Sequence, residues 1–380
     1  MSIEIKTKKM NPKKFAHRFK KAFRDPDRKP IIKMLWEYSR FKIKNPIVAE
    51  QYFYKYLYRK KEKNPGNFIL THKLISRIWF FNDMHYFSIL GNKLNAELFF
   101  TKHKIPIVTS IAYNHNTLFF YKEQFIQVHE IDEFANFLFS LKNESFWEND
   151  ELFIKKKQDS WGGKNIFKIN YNDLLNNKTG LDSIFKTILS SDYLYQNKII
   201  QHPILSEVNP YCVNTLRIDT FTNQQGITKI FSIRLRTSGG TNFVDNPSYG
   251  GLFVGIDPET GSVHEEAFTD FEKGPGKVYS SHPQTGFTFK NLEIPHFEAC
   301  KQLAIKAAKL LPKAKVTAWD IAIQPDGPIL IEGNFFPGLH NCEIALRGFG
   351  NNPVFSEMLK ELSDQPHEIN PNFFPALTVR

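Results

Sequence analysis

Three polar side chains near the C-terminal end carry the pattern best suited to chemistry. Asp320, Glu332 and Asn334 fall in the run VTAWDIAIQPDGPILIEGN, residues 316–334. Two apolar-rich arms flank Pro325, Asp326 and Gly327. These suit a three-residue hairpin loop, because Pro presets φ, Asp accepts the bridge region and Gly takes the left-handed position. With Gln324 facing Pro328, counting back along both arms sets Asp320 opposite Glu332 and places Asn334 two residues further on the same face. Trp319, Ile321, Ile323, Ile329 and Ile331 then take the core face, while Ala318, Ala322 and Leu330 share the polar one. Carboxylates opposed at about 5 Å between Cβ atoms repel unless a proton or cation intervenes. Two carboxylates and an amide carbonyl suit Mg²⁺ or Mn²⁺, whose shell phosphates can complete. The plainer alternative is a solvated strand face.

Cationic groups elsewhere favour an anionic ligand. Lys155 ends the apolar run Leu152, Phe153 and Ile154, and the stretch SWGGK at 160–164 follows before Ile166 and Phe167. A strand, a glycine bend at Gly162 and Gly163, and a second strand can lay backbone N–H groups over phosphates. The spacing is not that of a P-loop. Residues 214–219 and 230–236 alternate as antiparallel strands and carry Arg217, Arg234 and Arg236, which suit bidentate binding of phosphate or carboxylate. Asp245, Asn246, His282 and His340 are further polar groups in the same half of the chain.

The elements that must position these groups are mixed. Helices are expected at about 92–103, 130–141, 182–189, 297–311 and 354–362 from their apolar periodicity, with extended segments between. Ile105 to Val108 opens a strand, and Tyr193 to Ile200 reads as an extended connector. Before residue 66 the chain is basic and aromatic, with breaks near Pro26, Pro30 and Pro46 and with Phe15, Phe19 and Phe23 at helical spacing, a stripe expected to pack onto the main body in preference to forming an amphipathic membrane-surface helix. Of the formal charge of +11, most lies before Met34, where basic residues outnumber acidic ones roughly four to one. That excess points to an anionic membrane surface or an acidic polymer, or else to a solvated helical face. Nucleic acid is disfavoured, since no zinc finger, RNP pattern or helix-turn-helix accompanies the charge. Cys212, Cys300 and Cys342 are odd in number and lack a C-x-x-C, which fits a reducing cytoplasm. No signal-peptide pattern or membrane-spanning run is visible.

Taken in order, Lys155, the glycine bend, Tyr195 and Gln196, NTLR at 214–217, Asp245-Asn246, His282-Pro283, and WDIA with GPILIEGN at 319–334 resemble the ATP-grasp superfamily. The closer likeness is to its sugar-transfer-associated group, over roughly residues 75 to 350. The resemblance implies an α+β, ATP-grasp fold: two α+β lobes with antiparallel sheets gripping the nucleotide. A preceding segment (67–110), a small lobe (111–195) and a large lobe with the metal site (196–380) follow from it, whereas the N-terminal part (1–66) departs from it, reading as a basic helical N-terminal extension instead of a full α/β substrate lobe. It also implies ATP and Mg²⁺ (or Mn²⁺), the metal held by Asp320, Glu332 and Asn334. Lys155 and Lys93 would contact nucleotide, Gly162 and Gly163 would cover its phosphates, and Tyr195, Gln196 and Asn197 would form the hinge around adenine. Arg217, with Arg234 and Arg236, would neutralise transferring charge, and Asp245, Asn246, His282 and His340 would recognise an acceptor. Lys156 departs from a proline common after the strand lysine, and Gln196 from a frequent hinge glutamate.

The expected reaction joins a carboxylate and an amine, both small molecules, through an acyl phosphate. A kinase acting on a hydroxyl and a non-catalytic nucleotide binder at a membrane are the alternatives.

Overall fold

The computed structural model describes residues 12–44, 49, 51–143, 150–158, 165–176 and 179–364. Two antiparallel sheets dominate it. The smaller is formed by β1 (Ser110–His115), β2 (Leu118–Tyr121), β3 (Gln124–Gln127), β4 (Glu151–Lys156), β5 (Ile166–Asn170) and β6 (Asp192–Asn197), in the order β3-β2-β1-β6-β4-β5. The segment expected as a connector after Tyr193 is thus β6, an interior strand paired with both β1 and β4. Leu194 and Tyr195 there are fully buried, as befits the mostly apolar run. Helices Ile131–Asn143 and Thr179–Leu189 cover one face through Phe134, Leu138, Leu141, Phe185 and Ile188.

The larger sheet contains β7 (Thr215–Thr222), β8 (Thr228–Thr237), β9 (Leu252–Ile256), β10 (Val263–Thr269), β11 (Val278–Tyr279), β12 (Val316–Gln324) and β13 (Gly327–Asn334), in the order β11-β10-β9-β8-β7-β12-β13. Helix Phe297–Lys309 buries Cys300, Leu303, Ala304 and Ala307 against its underside. Trp319 anchors that core, its Nε1 donating to Thr220 Oγ1 at 2.9 Å and its ring lying edge-on to Phe100.

The hairpin of β12 and β13 reaches the expected acid pair by a different route. Gln324 pairs with Gly327 and Ile323 with Pro328, so the loop has two residues, one fewer than expected. The register then shifts between Ile321 and Asp320, so that Ile321 opposes Leu330 while Asp320 opposes Glu332. Ile331 is the extra residue of a β-bulge, and in such a bulge neighbouring side chains need not alternate. Leu330 consequently packs in the core with Trp319, Ile321 and Ile323, whereas Ile331 leaves the expected core face and lines a cavity. Full burial of a leucine contributes about 1.5–3 kcal/mol, enough to fix this choice of face. Ile105 to Val108, expected to open a strand, instead runs beside β13, with a parallel bridge between Ile107 and Leu330 and Val108 N donating to Leu330 O at 2.9 Å.

The basic N-terminal part is packed against the outer strands of the larger sheet. Helices Pro12–Phe23 and Ile31–Lys44 contribute Ala22 and Met34 to a cluster shared with Tyr56, Phe253, Phe268 and Phe271. Buried Arg59 pairs with Asp25, Asp27 and Glu266. Deeper still, Lys55 pairs with Glu343, both side chains fully buried. Lys55 Nζ also donates to Leu70 O at 2.8 Å, and Glu343 Oε1 accepts from the backbone N–H groups of Ile69 and Leu70. Pro46 lies outside the described residues.

Candidate active site

A cavity of ≈ 430 Å³ lies between the two sheets. Phe153 and Lys155 of β4, Ile166 of β5, and Gln196 and Asn197 of β6 form one wall. Thr215 and Arg217 of β7, Arg236 of β8, Asp320 of β12, and Ile331, Glu332 and Asn334 of β13 form the other. Register explains the second wall: Arg217 is opposite Asp320, Asp320 is opposite Glu332, and Thr215 is opposite Arg236, so all project from one face of the larger sheet. Lys93 enters from the first turn of helix Lys93–Lys102, which Asn92 caps by accepting from Leu94 N and Asn95 N.

Charges along this floor form a chain. Asp320 is held by Arg217, whose Nη2 donates to Oδ2 at 2.7 Å and whose Nε pairs with Oδ1. Arg236 Nη1 reaches the same Oδ2 at 3.1 Å, and its Nη2 donates to Asp245 Oδ1 at 2.8 Å. The Thr215 hydroxyl donates to the other oxygen of Asp245. Glu332 Oε2 lies 3.4 Å from Lys93 Nζ. Among the described residues, four cationic groups, Lys93, Lys155, Arg217 and Arg236, therefore line the cavity with three carboxylates, Asp245, Asp320 and Glu332, an excess of one positive charge.

Burial raises the Asp320 carboxyl despite the opposing pull of Arg217 and Arg236. Burial pushes Glu332 upward too, but Lys93, Arg217 and Arg236 outweigh it and bring that group down to about 2. The Lys155 ammonium is driven down to about 8, first by desolvation and then by Lys93, against the attraction of Glu332 and Asp245. Arg236 moves the other way, because Asp245, Asp320 and Glu332 together outweigh the cost of its burial.

Among the described residues, no cluster of three or more His, Cys, Asp and Glu side chains forms a metal-binding group. The donors at the Asp320–Glu332 pair are two carboxylates and the amide of Asn334, a set of hard oxygens suited to a small divalent ion. Asn334 Nδ2 and, across the cavity, Asn197 Oδ1 are buried without a hydrogen-bond partner. An amide reverses its donor and acceptor by a half-turn, so Asn334 can present its oxygen at the same place. Glu332, whose ion pair is the 3.4 Å contact to Lys93, is the carboxylate a cation would meet first; Asp320 would have to share its oxygens with two arginines at shorter range. By donor type, the site fits the metal.

The family model described as sugar-transfer associated ATP-grasp matches residues 72–353. The chain belongs to this family. No protein of curated function matches the sequence. Similar solved structures include VanG D-Ala:D-Ser ligase from Enterococcus faecalis, at 14% identity and a TM-score of 0.43, covering 74% of this chain and 63% of that one. D-alanine–D-alanine ligase from Bacillus anthracis is similar at 13% identity and a TM-score of 0.40, covering 74% of this chain and 70% of that one. The ADP complex of N5-carboxyaminoimidazole ribonucleotide synthetase follows at 11% and 0.38, covering 70% of this chain and 53% of that one. This ATP-grasp chain thus spans about half the length of the last of these.

Within the ATP-grasp cavity the structure gathers Lys93, Lys155, Gln196, Asn197, Arg217, Arg236, Asp245, Asn246, Asp320, Glu332 and Asn334. Other expected residues stand elsewhere. Tyr195 points into the core of the small sheet, its ring edge-on to Phe137, because successive residues of a strand face opposite ways. Arg234 shares the face of Arg236 but is sealed under Cys342 of helix Leu339–Ala345, where it donates to Asp219 Oδ2 at 2.6 Å. His282 is buried away from the cavity, its Nε2 2.7 Å from Ser238 O. His340 lies edge-on to His72, and burial with nearby Lys55 pushes it down to about 3. Gly162 and Gly163 lie outside the described residues.

An aromatic rim of Trp79, Phe87, Phe335 and Phe336 was not foreseen from the sequence. Phe335 and Phe336 follow Asn334 directly, and that adjacency is the signal for half of it. Trp79 and Phe87 come from the segment before β1, about 250 residues away, and only the tertiary fold brings them to the cavity.

Proposed function

We propose that this protein is an ATP-dependent ligase that joins a carboxylate to an amine, activating the carboxylate as an acyl phosphate. The observation that carries this reading is the convergence of Lys93, Lys155, Arg217 and Arg236 on the Asp320–Glu332 pair inside an otherwise largely apolar cavity. Such a site binds a polyanion by releasing guanidinium and ammonium groups from their carboxylates, leaving those carboxylates to a divalent cation.

When bound, Mg²⁺ would offset phosphate charge, and Asp320, Glu332 and Asn334 are the residues that would hold it. Lys155 and Lys93 would grip the phosphates from opposite walls. Gln196 and Asn197 supply polar groups for a base, and Phe153, Ile166 and Ile331 an apolar sleeve. Arg217 and Arg236 would neutralise charge as a carboxylate oxygen attacks the γ-phosphorus and the bond to the β-phosphate oxygen breaks, releasing ADP. The amine nitrogen then attacks the acyl carbon, phosphate leaves with the C–O bonding pair, and the nitrogen sheds a proton. The aromatic rim would exclude water from the acyl phosphate.

The test is ADP release across a panel of carboxylates and amines, with hydroxylamine added in place of the amine. Acyl hydroxamate formation that depends on carboxylate, ATP and Mg²⁺ supports a ligase. A stable phosphorylated alcohol as the only product would replace this reading with a kinase.

A further inference from the structure

Helix Ile31–Lys44 has two apolar faces and only one of them is covered. Met34 is buried, with Tyr38 and Phe41 packed partly against the same N-terminal cluster. On the opposite side Ile32, Leu35, Trp36 and Ile43 are 84%, 45%, 58% and 83% exposed. At about 100° per residue these four fall in one stripe roughly 100° wide. Lys33 and Arg40 border it on one side and Lys42 on the other, all three exposed. The Arg40 guanidinium lies over the Trp36 ring at 5.3 Å, presenting cation and ring together.

Charge on this part of the surface is one-sided. Residues 12–44 hold twelve Lys and Arg against three Asp and Glu. The single acid of the helix, Glu37, is turned inward, accepting from Lys29 Nζ at 2.9 Å and Tyr52 Oη at 2.7 Å. Lys14 and Lys20 on the preceding helix, and Arg24 just after it, are exposed. Among the described residues no helix is long and apolar enough to cross a membrane.

We infer that this face lies on an anionic lipid surface, with Ile32, Leu35, Trp36 and Ile43 entering the acyl boundary and Lys33, Arg40 and Lys42 meeting phosphate headgroups. Large apolar side chains framed by cations, with no exposed acid on the same helix, match a bilayer interface, where both contributions are satisfied at once. A nucleic acid would use the cations and leave the aliphatic stripe in water. The inference is independent of the proposed ligase reaction, because none of these residues lines the cavity.

The experiment is co-sedimentation of the full chain with phosphatidylcholine vesicles containing about one-third phosphatidylglycerol, and with pure phosphatidylcholine vesicles. The expected result is binding to the first and weak binding to the second. Ile32→Ser/Trp36→Ser and, separately, Lys33→Glu/Arg40→Glu/Lys42→Glu should each lower the bound fraction about tenfold or more, with thermal melting and nucleotide binding kept as wild type. Equal binding to both vesicle types, or unchanged binding by either variant, overturns the inference. So does a wild-type dimer in sedimentation that Ile32→Ser/Trp36→Ser converts to monomer, since the stripe would then be covered by a second copy.

Discussion

Arg234 and Arg236 project from the same face of β8, two positions apart, and end in different environments. Arg236 spans Asp245 and Asp320 within the cavity. Arg234 is locked to fully buried Asp219 beneath the next helix. Position in the strand does not separate them; the helix Leu339–Ala345 does. Arg236→Met should therefore reduce turnover about 100-fold or more, with some loss of stability because Asp245 and Asp320 lose a buried partner but keep Thr215 and Arg217. Arg234→Met should leave Asp219 buried without its partner and cost about 3–5 kcal/mol of stability, with the KM for ATP close to wild type at temperatures where the variant stays folded. Denaturant melts and steady-state kinetics on both variants check this, and a swap of the two phenotypes would reverse the assignment.

Glu332 is the most replaceable member of the acid pair in structural terms, since its side chain keeps 30% exposure and its nearest cation is 3.4 Å away. Glu332→Gln preserves shape and removes charge. We expect metal-dependent ADP release to fall about 100-fold or more, with a melting temperature within a few degrees of wild type. Wild-type rates in this variant would remove Glu332 from the metal site.

Lys155, held down near 8 chiefly by desolvation, should couple nucleotide binding to protons. Above this value the folded apo-protein has lost a proton that the unfolded chain keeps until its ordinary, higher pKa. Stability thus rises with pH across that window, and the destabilising contribution is fully present below it. An incoming polyanion favours the charged form, so binding near pH 8.5 should take up a proton. Calorimetry in buffers of differing ionisation enthalpy measures the uptake, and Lys155→Arg should abolish it. Identical uptake in that variant would place the titration elsewhere.

The Lys55–Glu343 pair joins the N-terminal part to the helix behind the site, with neither side chain in contact with water. Lys55→Met strands the Glu343 carboxylate, and about 3–5 kcal/mol of stability should be lost. Adding Glu343→Gln should recover part of it, because the amide oxygen can still accept from the N–H groups of Ile69 and Leu70. Denaturant unfolding of the single and double variants measures the coupling; additive losses would mean that the pair does not act as a unit.

Local chemistry made much of the site legible. The two acids could be matched across a hairpin because strand alternation is rigid, and the arginine-bearing strands announced themselves by period. Two compensating departures, a shorter turn and the bulge at Ile331, left the Asp320–Glu332 pairing intact while reversing the roles of Leu330 and Ile331. Packing of Leu330 with Trp319, Ile321 and Ile323, which come from the other arm, accompanies that reversal. The misplaced residues have one cause in common. His282, His340 and Arg234 are polar groups that a sequence shows as available, whereas neighbours distant in the chain decide whether they meet a cavity or a backbone carbonyl. Tyr195 was misplaced because β6 was taken for a connector, which hid which of its neighbours would face the cleft. Packing of the N-terminal aromatic stripe onto the main body was expected from its helical spacing, and Phe15 and Phe19 do pack there, but its polar partners were not legible, since the acids that neutralise Arg59 include Glu266, some two hundred residues away.

The bulge in β13 also separates two properties that an ordinary strand would tie together. A regular pleat offers one side chain at each depth of a cleft, oily or acidic. Here Ile331 and Glu332, adjacent in the chain, both border the same hollow. Excising Ile331 would restore plain alternation and still leave the acid facing Asp320, so greasiness and charge at this edge can be tuned one without the other.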